Sequence, residues 1–370
     1  MKKIILNLML YSLLAAPAWA QIGNEMSGAG AGNSLAVQDD YNTGFGDSTF
    51  HADARDETTA FGILSGYRAS SNSVTIGFKA GMHLISNSVS IGVNSGFIGE
   101  ANSLYGARNN VNIGHHAGGE GDGDRNVLIG ENTGNGITSN ADGLVMIGHH
   151  AGYSTGKANL IIGHNAGYHT TAEGNLIVGN YAPGYGIGAA GYGLTTGYGN
   201  ALMGVSAGSS LGSARFNTMI GPGAGGLSEN ITHNTFVGGL AGYNSGKGLT
   251  SSANGNTMIG YKAGYNNIEG RLNTIVGANA DLTDSTLSYV ILAGANSSAG
   301  NSFVSLFGFS SSGAGEYGSG VGNEITIDGE RATGLGYQTY ISAAGAYSTS
   351  IGYQSAMTAS NSIGIGKLAN

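Results

Sequence analysis

The sequence has no cysteine, three prolines, one tryptophan and only 10% charged residues in 370 positions. Each shortage removes a class of protein. Without Cys there is no disulfide framework, thiolate zinc site, iron–sulfur ligation or lipid attachment through an N-terminal Cys. An ordinary globular enzyme carries about 25% charged residues, so this chain is built on another plan. Positive charge is the scarcer sign, with 14 Lys and Arg against 22 Asp and Glu. That balance argues against nucleic acid as a partner, which rewards clustered Lys and Arg. Long apolar runs are also missing. The longest, Ile4 to Leu14, falls short of the roughly 20 residues that a membrane span needs.

Glycine is abundant instead, at 69 residues. It does not settle into a period of three, which excludes collagen. With 41% apolar residues recurring in pattern, the chain is not of disordered composition either. Lys2 and Lys3, the apolar run and Ala18-Trp19-Ala20 read together as a secretory signal peptide over residues 1–20, cut before Gln21. The mature chain then carries no transmembrane segment and is expected outside the cell or on the outer cell surface.

A short phrase, roughly N-[S/T/L/V]-x-[I/V]-G-x-x-A-G, recurs along the chain. Copies begin at Asn72, Asn87, Asn110, Asn126, Asn159, Asn175, Asn217, Asn256, Asn273 and Asn361. The Gly after the apolar residue marks the beat, as at Gly77, Gly92, Gly114, Gly130, Gly163, Gly221, Gly260 and Gly277. Most steps are 14 to 18 residues, with clean steps of 14 from Gly294 through Gly308 and Gly322 to Gly336. That period is too short for paired helices and suits one coil of a β-solenoid. The expectation is an all-β, parallel β-roll of about twenty short coils, two strands to a coil, on the order of 100 Å long. In Ser73-Val74-Thr75-Ile76 the alternation places Val and Ile inside and Ser and Thr outside. The marker glycines supply tight turns. Residues 21–60, more charged and less regular, read as a capping segment. Residues 61–370 read as the roll, with insertions near 180–203 and 239–259.

The phrases Asn72-Ser-Val-Thr-Ile-Gly-Phe-Lys-Ala-Gly81, Asn87-Ser-Val-Ser-Ile-Gly92 and Thr349-Ser-Ile-Gly-Tyr-Gln-Ser-Ala356 resemble the head repeats of YadA-like trimeric autotransporter adhesins. The resemblance covers about Phe61 to Asn370. It implies a left-handed roll, three parallel chains side by side, exposed at a bacterial surface and binding host matrix, glycans or other cells. Asn256 to Gly264 is also similar to repeats of trimeric phage tail fibres. Autotransporter adhesins continue into a coiled-coil stalk and a membrane anchor; here no heptad segment occurs and the repeats run to Gly366. The expected function is therefore that of a non-catalytic, homotrimeric adhesin. The alternative is a subunit of an extracellular filament, assembled end to end, or a phage-like receptor-binding fibre.

Specificity in a solenoid usually lies in loops that depart from the beat. The widest gap, Gly179 to Gly204, contains Tyr185, Tyr192 and Tyr198, each between glycines. Tyr in such a setting is an amphipathic contact residue, and these three are the ligand-contact candidates, against the alternative that the segment packs on its own rod. His115, His149 and His164 follow marker glycines and are weak candidates for a transition metal. Glu131 at the same position of the intervening coil interrupts them, so solvated turn residues are the preferred reading and no metal or other cofactor is expected. Gly118 to Asp124 reads as an exposed acidic turn in preference to a single Ca²⁺-binding copy. The acidic residues are thinly spread, and neither H-E-x-x-H nor a phosphate-binding Gly-Lys-Ser/Thr occurs, so no catalysis is expected.

Overall fold

A computed structural model describes residues 24–32, 41–50, 57–68, 71–82, 86–97, 108–119, 123–137, 141–153, 155–181, 188–248 and 253–368. Among them every regular element is a β-strand, there is no helix, and the strands pair in parallel as a solenoid. Among the described residues no helix is long and apolar enough to cross a membrane. The expected signal peptide, residues 1–20, lies outside the described residues. The chain divides into two compact units, Met1–Ile113 and Gly114–Asn370.

In the first unit six strands stack in register, from Glu25–Ser27 through Thr43–Phe45, Thr59–Phe61, Val74–Ile76 and Val89–Ile91 to Val111–Ile113. Residues 21–60, expected to be irregular, thus supply two of these rungs and the start of a third. Gly28 and Gly46 follow their strands at φ 135° and 130°, as marker glycines do elsewhere. The second unit holds fifteen such rungs, from Val127–Ile129 to Ile363–Ile365.

Most rungs are three residues long because both ends are turned; Thr333–Tyr337 and Thr349–Tyr353 run to five. In Leu272-Asn273-Thr274-Ile275-Val276-Gly277, Leu272 is left-handed at φ 55° and Gly277 stands at φ 148°. Only Thr274–Val276 is left to pair, in register with Thr257–Ile259 before it and Ile291–Ala293 after it. Two strands per coil, expected throughout, occur only from Asp281 onward. There a second ladder runs from Asp281–Leu282 to Ala356–Met357. The coils before it turn through hydrogen-bonded bends on that side.

The structure reverses the expected phase of the strands. Thr75 is buried while Val74 and Ile76 are 37% and 39% exposed. The middle residue of each rung points inward, and the coil is so narrow that this residue, the Asn before the strand and the Ala of the Ala-Gly pair fill it. After Met26, the inward row of the first unit is small or polar, Gly44, Ala60, Thr75, Ser90 and Asn112. In the second unit the row is apolar, with Met219, Phe236, Met258 and Ile275 fully buried. Each such side chain contributes about 1.5–3 kcal/mol on burial. Near the C-terminus the inward row becomes Gly320 and Gly334, and Ile325 and Ile327 from the second side occupy that space.

Candidate functional site

Because the rungs are in register, residues at equivalent places form columns on the outside of the second unit. The expected insertion of 180–203 is smaller than its span. The amide of Gly167 donates to the carbonyl of Ala190, and Gly191 to Ala207, so residues 190–203 keep the regular coil. The extra residues fall between Tyr181 and Ala190. Tyr185 is among them and lies outside the described residues. By the same alignment the extra residues of 239–259 fall after the regular Ala241-Gly242-Tyr243 corner.

Tyr192 is therefore a column residue. Its ring stacks on Tyr168 with centroids 5.6 Å apart and planes 6° apart, and Tyr168 stacks on Tyr153 at 5.0 Å. Stacked in this way, the rings cover one another's faces and present edges and hydroxyls to solvent. Tyr198 differs. It is 45% exposed, meets Phe216 edge to face at 5.0 Å, and lies under the Arg215 guanidinium at 5.1 Å. It borders a trough of about 280 Å³ lined by Thr171, Ala172, Glu173, Thr196, Gly197 and Arg215.

The three weak metal candidates do share a column, and Glu131 extends it. The Glu131 carboxylate lies 3.7 Å from His115 Nδ1 and 3.9 Å from His149 Nε2, and the His149 and His164 rings are 5.1 Å apart. Spread over successive coils, these groups do not converge. Among the described residues no three His, Asp or Glu side chains come close enough to hold a metal ion. In the acidic turn, Asp142 accepts the Asp124 amide at 2.8 Å and faces Arg125 at 3.6 Å; Glu120 and Asp122 lie outside the described residues. The nucleophile-like Gly-x-Ser-x-Gly spacing occurs at 152–156, 204–208 and 208–212; in the second, Ser206 sits in a regular corner where its buried hydroxyl donates to the Gly188 carbonyl at 2.7 Å.

Next to this column, burial first and then the neighbouring His149 push the His150 imidazole below its ordinary value, opposed by the Glu131 carboxylate and a hydrogen bond with Asn165. The unfolded chain then takes up the proton before the folded one. His150's contribution to stability is full above about pH 6.5 and is lost as pH falls through the folded value. Melting temperature followed from pH 7 to pH 5 is expected to drop less steeply in His150→Gln than in the parent; equal slopes would remove His150 from the account.

The marker glycines are structural, each standing on the next: a Cβ at Gly77 would lie 2.5 Å from the Gly92 carbonyl oxygen, and one at Gly260 2.7 Å from that of Gly277.

The broadest surface feature is the outward side of the long ladder. Ile220 and Ile259 are 40% exposed, and Ile147, Leu160, Met203 and Val276 continue the same face. No outward strand position among its fifteen rungs is charged. Sequence reading missed this face because it assigned those side chains to the interior. No protein-family model matches the chain, and no curated protein matches its sequence.

Proposed function

We propose that this chain is a secreted or cell-surface fibrous adhesin, non-catalytic, in which three copies pack side by side and display their corner columns to host matrix, glycans or other cells. The observation that carries the reading is the uncharged apolar face of the second unit. Fifteen rungs at about 4.8 Å give a strip about 65 Å long and about 10 Å wide. Eight of the fifteen rungs carry Thr or Ser at the first outward position, so the strip, near 650 Å² in all, is apolar over part of that area, on the scale of the largest apolar patch of a typical monomer, about 300–600 Å². It approaches the roughly 800 Å² that each partner gives to a stable interface. Another copy has the same rung spacing and meets the strip without a register mismatch. The repeats quoted above support three parallel, left-handed copies, and the basic and apolar residues 1–20 support export.

Sedimentation equilibrium of the purified protein is expected to give three times the chain mass. A double variant, Ile220→Lys with Ile259→Lys, places charges within the strip and is expected to shift the mass toward monomer with the parent's circular dichroism retained. A monomeric parent would overturn the trimer. Protein-coated beads are expected to adhere to cells or matrix; beads that bind neither would overturn the adhesin.

A further inference from the structure

The residues two places before the Asn that opens each rung form a corner column that runs Lys157, Glu173, Tyr198, Arg215 and Thr232 on successive coils, all exposed but the half-buried Thr232. Glu173 and Tyr198 are bridge partners, as are Arg215 and Thr232. Glu173 and Arg215 therefore flank Tyr198 from the coils on either side, about 10 Å apart along the stack. At that distance they do not neutralise each other, and among the described residues neither has an ion-pair partner.

The floor beside them is low. Ala172 is buried, and Gly197 can carry no side chain, because a Cβ there would collide with the Ala214 carbonyl. Along the far edge the Thr171 hydroxyl donates to the Thr195 carbonyl, and the Thr196 hydroxyl shares a 2.7 Å hydrogen bond with Ser213. Their oxygens keep lone pairs for a ligand's hydroxyls. The trough thus assembles an aromatic ring, a carboxylate acceptor, a guanidinium donor and two hydroxyls around about 280 Å³. Pockets for drug-sized ligands run from about 300 to 1,000 Å³, so this one suits a single small ring.

We propose that the trough binds one neutral pyranose unit of a surface glycan. The sugar's C–H face packs on the part of the Tyr198 ring that Arg215 and Phe216 leave exposed, its neighbouring hydroxyls donate to Glu173, and another accepts from Arg215. Glu173 disfavours uronates and sialates by like charge. The source of the glycan rests on the adhesin reading; the chemistry of the trough does not.

The test uses methyl glycosides of glucose, galactose, mannose and N-acetylglucosamine with the full-length protein, followed by saturation-transfer NMR and titration. At least one is expected to bind in the millimolar range, at least tenfold more weakly to Tyr198→Ala and several-fold more weakly to Glu173→Gln. Tyr192→Ala is expected to bind as the parent does, and unchanged urea midpoints identify the variants that remain folded. No transfer to any neutral glycoside, tighter binding of sialic acid or glucuronate, or undiminished binding by folded Tyr198→Ala overturns the proposal. Coated beads separate the two readings. Adhesion that persists in Tyr198→Ala and under excess glycoside sinks the trough alone, whereas sugar binding without adhesion to cells or matrix sinks the adhesin alone.

Discussion

Gly221→Ala is expected to destabilise the second unit by about 4 kcal/mol or more, enough to unfold the coils around it. Gly221 stands at φ +131°, where a built Cβ lies 2.6 Å from the Gly238 carbonyl oxygen and 2.7 Å from its carbon. The backbone strain alone is of order 1–3 kcal/mol. The clash adds to it, because the opposing atom is backbone held in place: the Gly238 amide donates to the Ile220 carbonyl at 2.7 Å. Gly238 in turn stands on Gly260, and Gly260 on Gly277, so a shift at one rung is resisted by the next. Relief requires the rungs to separate, with loss of ladder hydrogen bonds. Gly174→Ala is the matched control. Its φ is +64° and nothing lies within 4 Å of its built Cβ, so the cost is about 1–2 kcal/mol for a left-handed residue. Urea unfolding followed by circular dichroism measures both; equal losses would refute the stacked-glycine account.

That glycine column was legible in the sequence because its requirement is absolute: no other residue fits both the angle and the contact. The phase of the strands was not. In Ser73-Val74-Thr75-Ile76 the alternation of apolar and polar residues normally assigns Val and Ile to the interior. A coil this narrow seals whichever residue is central, Thr75 included, and leaves the flanking pair for a neighbour. In Leu160-Ile161-Ile162 all three residues are apolar, so no alternation exists to be read.

The columns were illegible for a different reason. Glu173, Tyr198 and Arg215 are 25 and 17 positions apart, and their alignment depends on where the extra residues of one coil are accommodated. Tyr192 and Tyr198 share one gap in the sequence yet occupy different corners. One is covered by Tyr168, and the other opens onto a trough. Glu131 looked like an interruption among imidazoles, and the stack makes it their neighbour.

Asn217→Leu is expected to cost about 2–3 kcal/mol although the two side chains have the same branched arrangement of four heavy atoms. Asn159, Asn175, Asn200, Asn217 and Asn234 are buried on successive rungs. The Asn217 amide uses its full hydrogen-bonding capacity. Its Nδ2 donates to Asn200 Oδ1 at 3.0 Å and to the Ile231 carbonyl at 2.9 Å, while its Oδ1 accepts from the Asn234 backbone amide at 3.0 Å and from Asn234 Nδ2 at 3.1 Å. Replacing it with Leu leaves the buried Asn234 amide without its acceptor, and an orphaned buried group costs about 1–3 kcal/mol. The other groups keep one partner each: Asn200 Oδ1 still receives the Asn217 amide, and Ile231 still receives that of Arg215. Asn217→Asp distinguishes this account from simple packing. The carboxylate still accepts from Asn234 but cannot donate, and it faces two oxygens in a buried place, so its pKa in the folded chain is raised above the unfolded value. The folded state then holds the proton more tightly, and stability is greatest at acid pH and lost as pH rises through the raised value. Urea midpoints of Asn217→Asp are therefore expected to fall from about pH 4 to pH 8 relative to the parent, with no such trend for Asn217→Leu. Parallel pH profiles for the two variants would mean that the ladder's hydrogen bonds contribute nothing beyond the space they fill.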